Sequence, residues 1–128
     1  LAEGGFQVGA LAQLYFPAGT EVVSIDKTKS VAVTTALLEA KKSNGELLVK
    51  GKTWTGFADA EEEFADKAVG QKIQPYRIED EAKKIAGTTF KVAAPFSSYA
   101  IQDGNLITGQ QQNSGAAAAE LVVEMLSK

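Results

Sequence analysis

Thr53-Trp54-Thr55, Asp59-Ala60-Glu61-Glu62-Glu63-Phe64-Ala65-Asp66-Lys67-Ala68-Val69, Ile78-Glu79-Asp80-Glu81-Ala82-Lys83-Lys84-Ile85 and Thr88-Thr89-Phe90-Lys91-Val92-Ala93 follow one another across short connections, and their succession decides the fold class. The first and last pieces are rich in β-branched and aromatic residues, which suit a pleated, half-buried surface. Between them, Asp59 followed by Glu62 has the spacing of a capping box. Phe64, Ala65, Ala68 and Val69 then put an apolar stripe on one side of a helix that Gly70 stops. Ile78, Ala82 and Ile85 mark a second, shorter helix closed by Gly87. Strand, helix and strand in that order are the pattern of an α/β layer fold.

Toward the N-terminus the alternation continues. Phe6, Val8 and Ala10 alternate with Gln7 and Gly9, Leu14-Tyr15-Phe16 is an apolar run stopped by Pro17-Ala18-Gly19, and Glu21 to Ile25 is a third strand candidate. Val33, Ala36, Leu37 and Ala40 have helical spacing over Val33 to Lys42, with Ser43-Asn44-Gly45 as a left-handed stop. Glu46 to Val49 reads as β, joined to Thr53 by a hairpin or bend at Lys50-Gly51-Lys52. Toward the C-terminus, Tyr99 to Gln102, then Asp103-Gly104, then Asn105 to Thr108 predicts a β-hairpin with a type I′ turn. A polar loop at Gln110 to Ser114 leads to a last helix, Gly115 to Ser127, whose buried face is expected to be Ala119, Val122, Val123 and Leu126. No internal repeat or linker interrupts this order, so 1–128 reads as a single domain.

Composition removes several function classes. Over 128 residues the chain is 45% hydrophobic and 23% charged, which suits a folded domain with a core rather than a disordered or collagenous chain. The net charge of -3 supplies no basic face for nucleic acid. No apolar run approaches the roughly 20 residues needed to span a bilayer. The N-terminal residues lack the basic start and apolar core of a signal peptide. The chain contains no Cys and no His, which excludes disulfides, Cys–His and Ser–His catalysis and the usual structural zinc sites. Carboxylates, Lys, Tyr and hydroxyls remain for chemistry, and no metal-ligand pattern or cofactor motif is present.

Each candidate group also has a plain structural role. Glu61-Glu62-Glu63 could gather around a hard cation, but acids in a first helical turn stabilise the macrodipole. Pro17-Ala18-Gly19-Thr20 could offer backbone N–H groups to an anion, or be a simple turn. Trp54 and Phe57 could line a pocket or fill a core, Lys50 and Lys52 flank a turn, and Tyr99 is expected to pack across its hairpin.

The order Gly51-Lys52-Thr53-Trp54-Thr55-Gly56-Phe57, Glu61-Glu62, Ile78-Glu79-Asp80-Glu81-Ala82 and Asp103-Gly104-Asn105-Leu106-Ile107-Thr108-Gly109-Gln110 resembles the C-terminal half of the ThiJ/PfpI family, in the class I glutamine amidotransferase-like superfamily. The branch it is most similar to includes glyoxalase III-like and Hsp31-chaperone-like proteins. The resemblance runs from near Ser30 to Lys128. It implies an α/β, three-layer, doubly wound and mostly parallel sheet of flavodoxin-like type, with a reactive Cys on a tight strand-to-helix turn.

In the family that turn commonly reads Ala-Val-Cys-His-Gly. Leu37-Leu38 and Ser43-Asn44-Gly45-Glu46 anchor the register here, which puts Val31 at the cysteine position, Ala32 at the histidine and Val33 at the glycine. Tyr15-Phe16-Pro17-Ala18-Gly19-Thr20 resembles the family's Phe-Pro-Gly-Gly-His loop, so Ala18 and Gly19, with Val33, take the oxyanion-turn positions. Thr20, Thr34, Trp54 and Phe57 become pocket-edge candidates.

The family's first strand, with its acidic residue, has no counterpart before Leu1. A degenerate relative, a fragment completed by another chain and an imperfectly recorded enzyme sequence are the three explanations. The expectation is therefore a cytoplasmic, stress-response family member without the Cys–His pair, non-catalytic in this form, with no metal or cofactor. Its expected partners are a second copy of itself and a small aldehyde or a misfolded protein. The alternatives are a glyoxalase III-type or deglycase/peptidase-like hydrolase and a chaperone-like binding module.

Overall fold

The computed structural model describes Phe6–Val8, Gln13–Tyr15 and residues 37–128. In chain order the elements are β1 (Phe6–Val8), β2 (Gln13–Tyr15), β3 (Thr53–Trp54), α1 (Asp59–Val69), α2 (Ile78–Lys84), β4 (Thr89–Phe90), β5 (Ala100–Asp103), β6 (Leu106–Gly109), a 3₁₀ turn at Gln112–Ser114 and α3 (Gly115–Leu126). The mixture of strands and helices is that of an α/β chain.

β3 and β4 pair in parallel, Thr53 with Thr89 and Trp54 with Phe90, and the two helices between them form the crossover. The other ladders differ from the mostly parallel sheet implied by the resemblance. β1–β2, β2–β6 and β5–β6 are all antiparallel, in the order β1-β2-β6-β5. Two side chains join the sheets where no ladder does: Asp103 Oδ2 accepts the Thr53 N–H at 2.6 Å and Thr108 Oγ1 accepts the Thr55 N–H at 3.0 Å. β3 thus lies against β5 and β6 with its donors satisfied.

Several local expectations shift by one residue, for identifiable reasons. β5 and β6 pair from Ala100–Gly109 to Asp103–Leu106, which leaves Gly104 and Asn105 as the two-residue loop rather than Asp103-Gly104. Gly104 takes φ +58 and Asn105 does not follow it into the left-handed region, so the turn lacks the second positive φ that type I′ requires. Asp103 is held in the strand by the bond its side chain accepts from Thr53.

In α3 the packed face is Ala118, Leu121, Val122 and Met125 against Ile107, the same 3.6-residue spacing rotated by one position from the one expected. Val123 and Leu126, expected inside, are 63% and 65% exposed. Gly109 fixes that rotation, since a Cβ there would stand 3.0 Å from the Ser114 Cβ and 3.8 Å from that of Ala118.

α1 inverts its expected polarity. Glu61 and Glu62 are its buried residues, while Phe64 and Val69 of the supposed apolar stripe are exposed. The helix expected over Val33 to Lys42 does not continue past a 3₁₀ turn at Leu37-Leu38: Lys41 bridges Leu47 and Gly45 takes φ +85. Glu46 to Val49 is a turn rather than a strand, and Lys50-Gly51-Lys52 is no hairpin, because Gly51 donates its N–H to the Gly87 carbonyl. The strand candidate Glu21 to Ile25 lies outside the described residues.

The main core gathers Leu37, Ala40, Leu48, Val49, Trp54, Ala82 and Leu106, with Phe90 packed edge-on to Trp54 at 4.7 Å. Trp54 is fully buried and its indole N–H donates to Thr88 Oγ1 at 2.9 Å. That hydroxyl in turn donates to a main-chain carbonyl of the Val49–Lys52 turn. The one large side chain therefore fills the core and, through its polar edge, ties β3 to the start of β4. Trp54→Ala is expected to lower the unfolding free energy in urea titration by about 3–5 kcal/mol, the cost of truncating a buried aromatic, and Trp54→Phe by less.

Candidate functional site

The capping-box spacing read at Asp59 and Glu62 is displaced by one residue in the structure. Ala58 is the N-cap of α1, and Glu61 Oε2 accepts the Ala58 N–H at 2.9 Å, half of a capping box supplied entirely by the glutamate. The other carboxyl oxygen of Glu61 accepts two more N–H groups, from Phe96 at 2.7 Å and from Gln110 Nε2 at 2.8 Å. Glu61 and Gln110 are both fully buried. Gln110 completes its own valence by accepting the Ala93 N–H through Oε1 at 2.8 Å.

This network holds a strained loop. Ala94-Pro95-Phe96-Ser97 is a β-turn closed by the Ser97 N–H on the Ala94 carbonyl, and Phe96 sits at φ +59, a conformation an L side chain adopts at a cost of about 1–3 kcal/mol. Glu61 accepts the Phe96 N–H, Asn113 Nδ2 donates to its carbonyl at 2.8 Å, and its ring lies edge-on to Phe64 and Phe57. Gln111 Nε2 donates to the Ser97 carbonyl and Ser114 Oγ accepts the Tyr99 N–H, so the polar loop at 110–114 is the buried anchor of 93–99. Sequence reasoning saw that loop only as a polar connection. Glutamine in a loop carries no periodic signal, and only the fold shows that Gln110, Gln111 and Ser114 are shut away from water.

Glu62 and Asp59 form the second part of the site. Glu62 is 5% exposed; its Oε1 accepts the Ile78 N–H at 3.4 Å and its Oε2 has no hydrogen-bond partner. Burial pushes the Glu62 carboxyl up to about 7, against the bond from Ile78 and the Arg77 guanidinium whose Nε lies 4.0 Å away. Burial, followed by the charge of Glu79 and of Asp80, raises Asp59 to about 6. Glu62 thus combines burial, an oxygen without a hydrogen bond and a titration near neutrality, the properties of a general acid or base.

Glu61, Glu62 and Glu63 do not converge on a cation. The first turns to the 93–97 loop, the second to Ile78, and the third pairs with Arg77 at 2.9 Å on the outside. Among the described residues no cluster of Asp, Glu, His or Cys has the geometry to hold a metal ion.

No family model matches the chain. Curated relatives do match: glyoxalase 3 of Candida albicans is 31% identical over 80 residues, 62% of this chain and 34% of that protein. The glutathione-independent glyoxalase HSP31 of Saccharomyces cerevisiae is 32% identical over 87 residues, 66% of this chain and 36% of that protein. A solved crystal structure, of the protein APC35852, superposes with a TM-score of 0.64 at 34% identity, covering 73% of this chain and 41% of that one. The chain is a relative of the ThiJ/PfpI family. It spans about a third of the length of the curated relatives it matches.

Of the ThiJ/PfpI site residues expected from sequence, Val31, Ala32, Ala18, Gly19, Val33, Thr20 and Thr34 lie outside the described residues. Trp54 and Phe57 are described, and they are interior at 0% and 3% exposure: Trp54 packs in the main core and Phe57 packs with Ile78 against Phe90 and Phe96. Both rings therefore fill the interior among apolar neighbours, with no edge open to a pocket. A depression of about 230 Å³ is lined instead by Leu38, Glu39, Tyr76 and Glu81. No helix among the described residues is long and apolar enough to cross a membrane.

Glu61→Gln puts an amide NH₂ against N–H groups that now meet a carboxyl oxygen. It is expected to cost about 2–3 kcal/mol in urea titration, while Glu63→Gln on the exposed side stays within about 0.5 kcal/mol.

Proposed function

We propose that this chain is a stress-response member of the ThiJ/PfpI family built on a glyoxalase III-type scaffold, and that in the form written it does not carry out the family's thiol-dependent chemistry. The single observation that carries the second half is compositional: the sequence has no Cys and no His, and Val31 and Ala32 stand at the positions matched to the family's cysteine and histidine. A valine side chain can neither attack a carbonyl nor take up a proton. The curated relatives support the first half, since both are named as glyoxalases. The three-layer, doubly wound sheet of the family is the setting in which the β3–α1–α2–β4 unit belongs.

Glu62 is the group that would serve such a site. A buried carboxyl titrating near 7 can take a proton from the carbon that bears the thiol in an adduct of a 2-oxoaldehyde and return it to the neighbouring carbonyl carbon. This gives a 2-hydroxy thioester, which water then hydrolyses to the hydroxy acid with release of the thiol. The Glu61 and Gln110 bonds hold the first turn of α1, and therefore Glu62, in place. Small aldehydes such as methylglyoxal are the substrate class this chemistry fits.

Exposed Phe64, Val69 and Ile73 on and after α1, with Val123 and Leu126 on α3, favour a second reading in which the protein binds through apolar surface, to a second copy or to a misfolded chain. Methylglyoxal turnover and aggregation suppression by the same preparation separate the two.

Purified protein is expected to convert methylglyoxal to lactate no faster than buffer. The double variant Val31→Cys/Ala32→His tests whether the rest of the site survives, and turnover that Glu62→Gln then removes is the result that assigns Glu62 its role. Turnover by the unaltered chain overturns the non-catalytic proposal.

A further inference from the structure

Neither α1 nor α2 is capped by its N-cap side chain, although in α1 Glu61 accepts the N-cap N–H. The N-cap of α1 is Ala58 and that of α2 is Arg77, and neither side chain accepts from its helix. Each helix also receives a glutamate from the other. Glu79, in the first turn of α2, accepts the N–H of Asp59, the first residue of α1, at 2.8 Å. Glu62, in the first turn of α1, accepts the N–H of Ile78, the first residue of α2, at 3.4 Å. Two helix N-termini, each carrying unsatisfied N–H groups and a positive dipole end, thus exchange glutamates across one joint.

The exchange is incomplete on one side. Glu62 is buried, and its Oε2 has no hydrogen bond, only the Arg77 Nε 4.0 Å away, while the Oδ1 of Asp59 has no hydrogen-bond partner either. A carboxylate in that position is desolvated without full compensation, whereas a neutral carboxyl tolerates it better. We propose that the crossed caps are a proton-dependent latch between α1 and α2, closed when Glu62 and Asp59 carry protons and loosened when both are charged.

The groups facing the joint are few and set the sign. From α1 come Asp59, Glu62, Glu63 and Asp66, from α2 Glu79, Asp80 and Lys83, and from the connection Arg77, whose guanidinium reaches Glu62, Glu63 and Asp66. Among the described residues, Lys83 pairs with Glu79 and Arg77 with Glu63, Arg77 also lies 4.0 Å from Glu62, and both cations act on Asp59 from further away. The apolar neighbours of the joint are Phe57, Phe90 and Phe96, which cluster with Ile78, and none of them is titratable.

Glu62 titrates near 7 in the closed joint against an ordinary 4.5, and Asp59 near 6 against 3.8. The closed joint therefore binds more protons than the open one between those values. Its stabilisation is complete below the ordinary values and is lost as pH rises through about 6 and then about 7. Opening uncovers Ile78 and Phe57, now 0% and 3% exposed. The latch stands whether or not the chain has glyoxalase-type chemistry, since it uses no substrate.

Amide hydrogen exchange on the full chain reads the latch directly. The protection factor of the Ile78 N–H is expected to fall about tenfold or more from about pH 5.5 to about pH 8, and Glu62→Gln, whose amide oxygen still accepts the bond, to remove the part of that fall centred near pH 7 and leave the smaller part that belongs to Asp59. Exposed Glu63→Gln is expected to keep the whole fall. A flat wild-type profile, or an unchanged slope in Glu62→Gln, overturns the proposal. Should Glu62→Gln fail to fold, a carboxyl-carbon NMR titration of the unaltered protein decides: a Glu62 midpoint near 7 supports the latch and one near 4.5 overturns it.

Discussion

The carboxyl group of Glu61 is the constraint on which most of this structure depends. It is fully buried and accepts N–H groups from three separate places: the start of its own helix, the strained turn at Phe96 and the side chain of Gln110 at the end of β6. Without those donors a buried carboxyl costs several kcal/mol; with them it is a three-way junction. It fixes where α1 starts, and so which residue of the glutamate run faces inward. It also holds Phe96 in a conformation its side chain resists.

The same logic extends from the junction in both directions. Gln110 passes the connection to Ala93, while Gln111, Asn113 and Ser114 fasten 96–99, so the loop before α3 is anchored before the helix begins. On the other side, Glu62 follows Glu61 in the same turn and is delivered to the N-terminus of α2, where Glu79 returns the cap. Buried polar contacts thus set the relative position of α1, α2 and the β5–β6 pair, and the apolar clusters around Trp54 and Ile107 fill the space between them. Such contacts specify geometry more sharply than apolar packing, because a misplaced donor is left unpaired.

The strand–helix–helix–strand order was legible because its signals are local: β-branched and aromatic residues in Thr53–Trp54 and Thr89–Phe90, Gly70 as the stop of α1, and Ile78 with Ala82 on the inner face of α2. What failed was the assumption that apolar residues mark the buried face. In α1 the inward positions are glutamates with partners far away in sequence, and periodicity cannot report a partner 35 or 49 residues distant. In α3 the period was right and the phase wrong, since Ala118 rather than Ala119 is selected by the close approach of Gly109. The role of Trp54 as core rather than pocket edge was weighed from the outset, and its hydrogen bond to Thr88 explains why an aromatic with a polar edge belongs there. Glu62 was visible only as part of an acidic first turn; its burial and its oxygen without a hydrogen bond come from the packing of α2 against it.

A double-mutant cycle between Glu61 and Gln110 tests the junction most directly. Unfolding free energies of the unaltered protein, Glu61→Gln, Gln110→Leu and the double variant give the coupling between two side chains joined by the 2.8 Å bond. A buried bond at the centre of a network should give a coupling of about 1–3 kcal/mol, the two substitutions together costing less than their sum. Strictly additive losses would contradict the account, because they would mean that Glu61 and Gln110 contribute to stability without depending on each other.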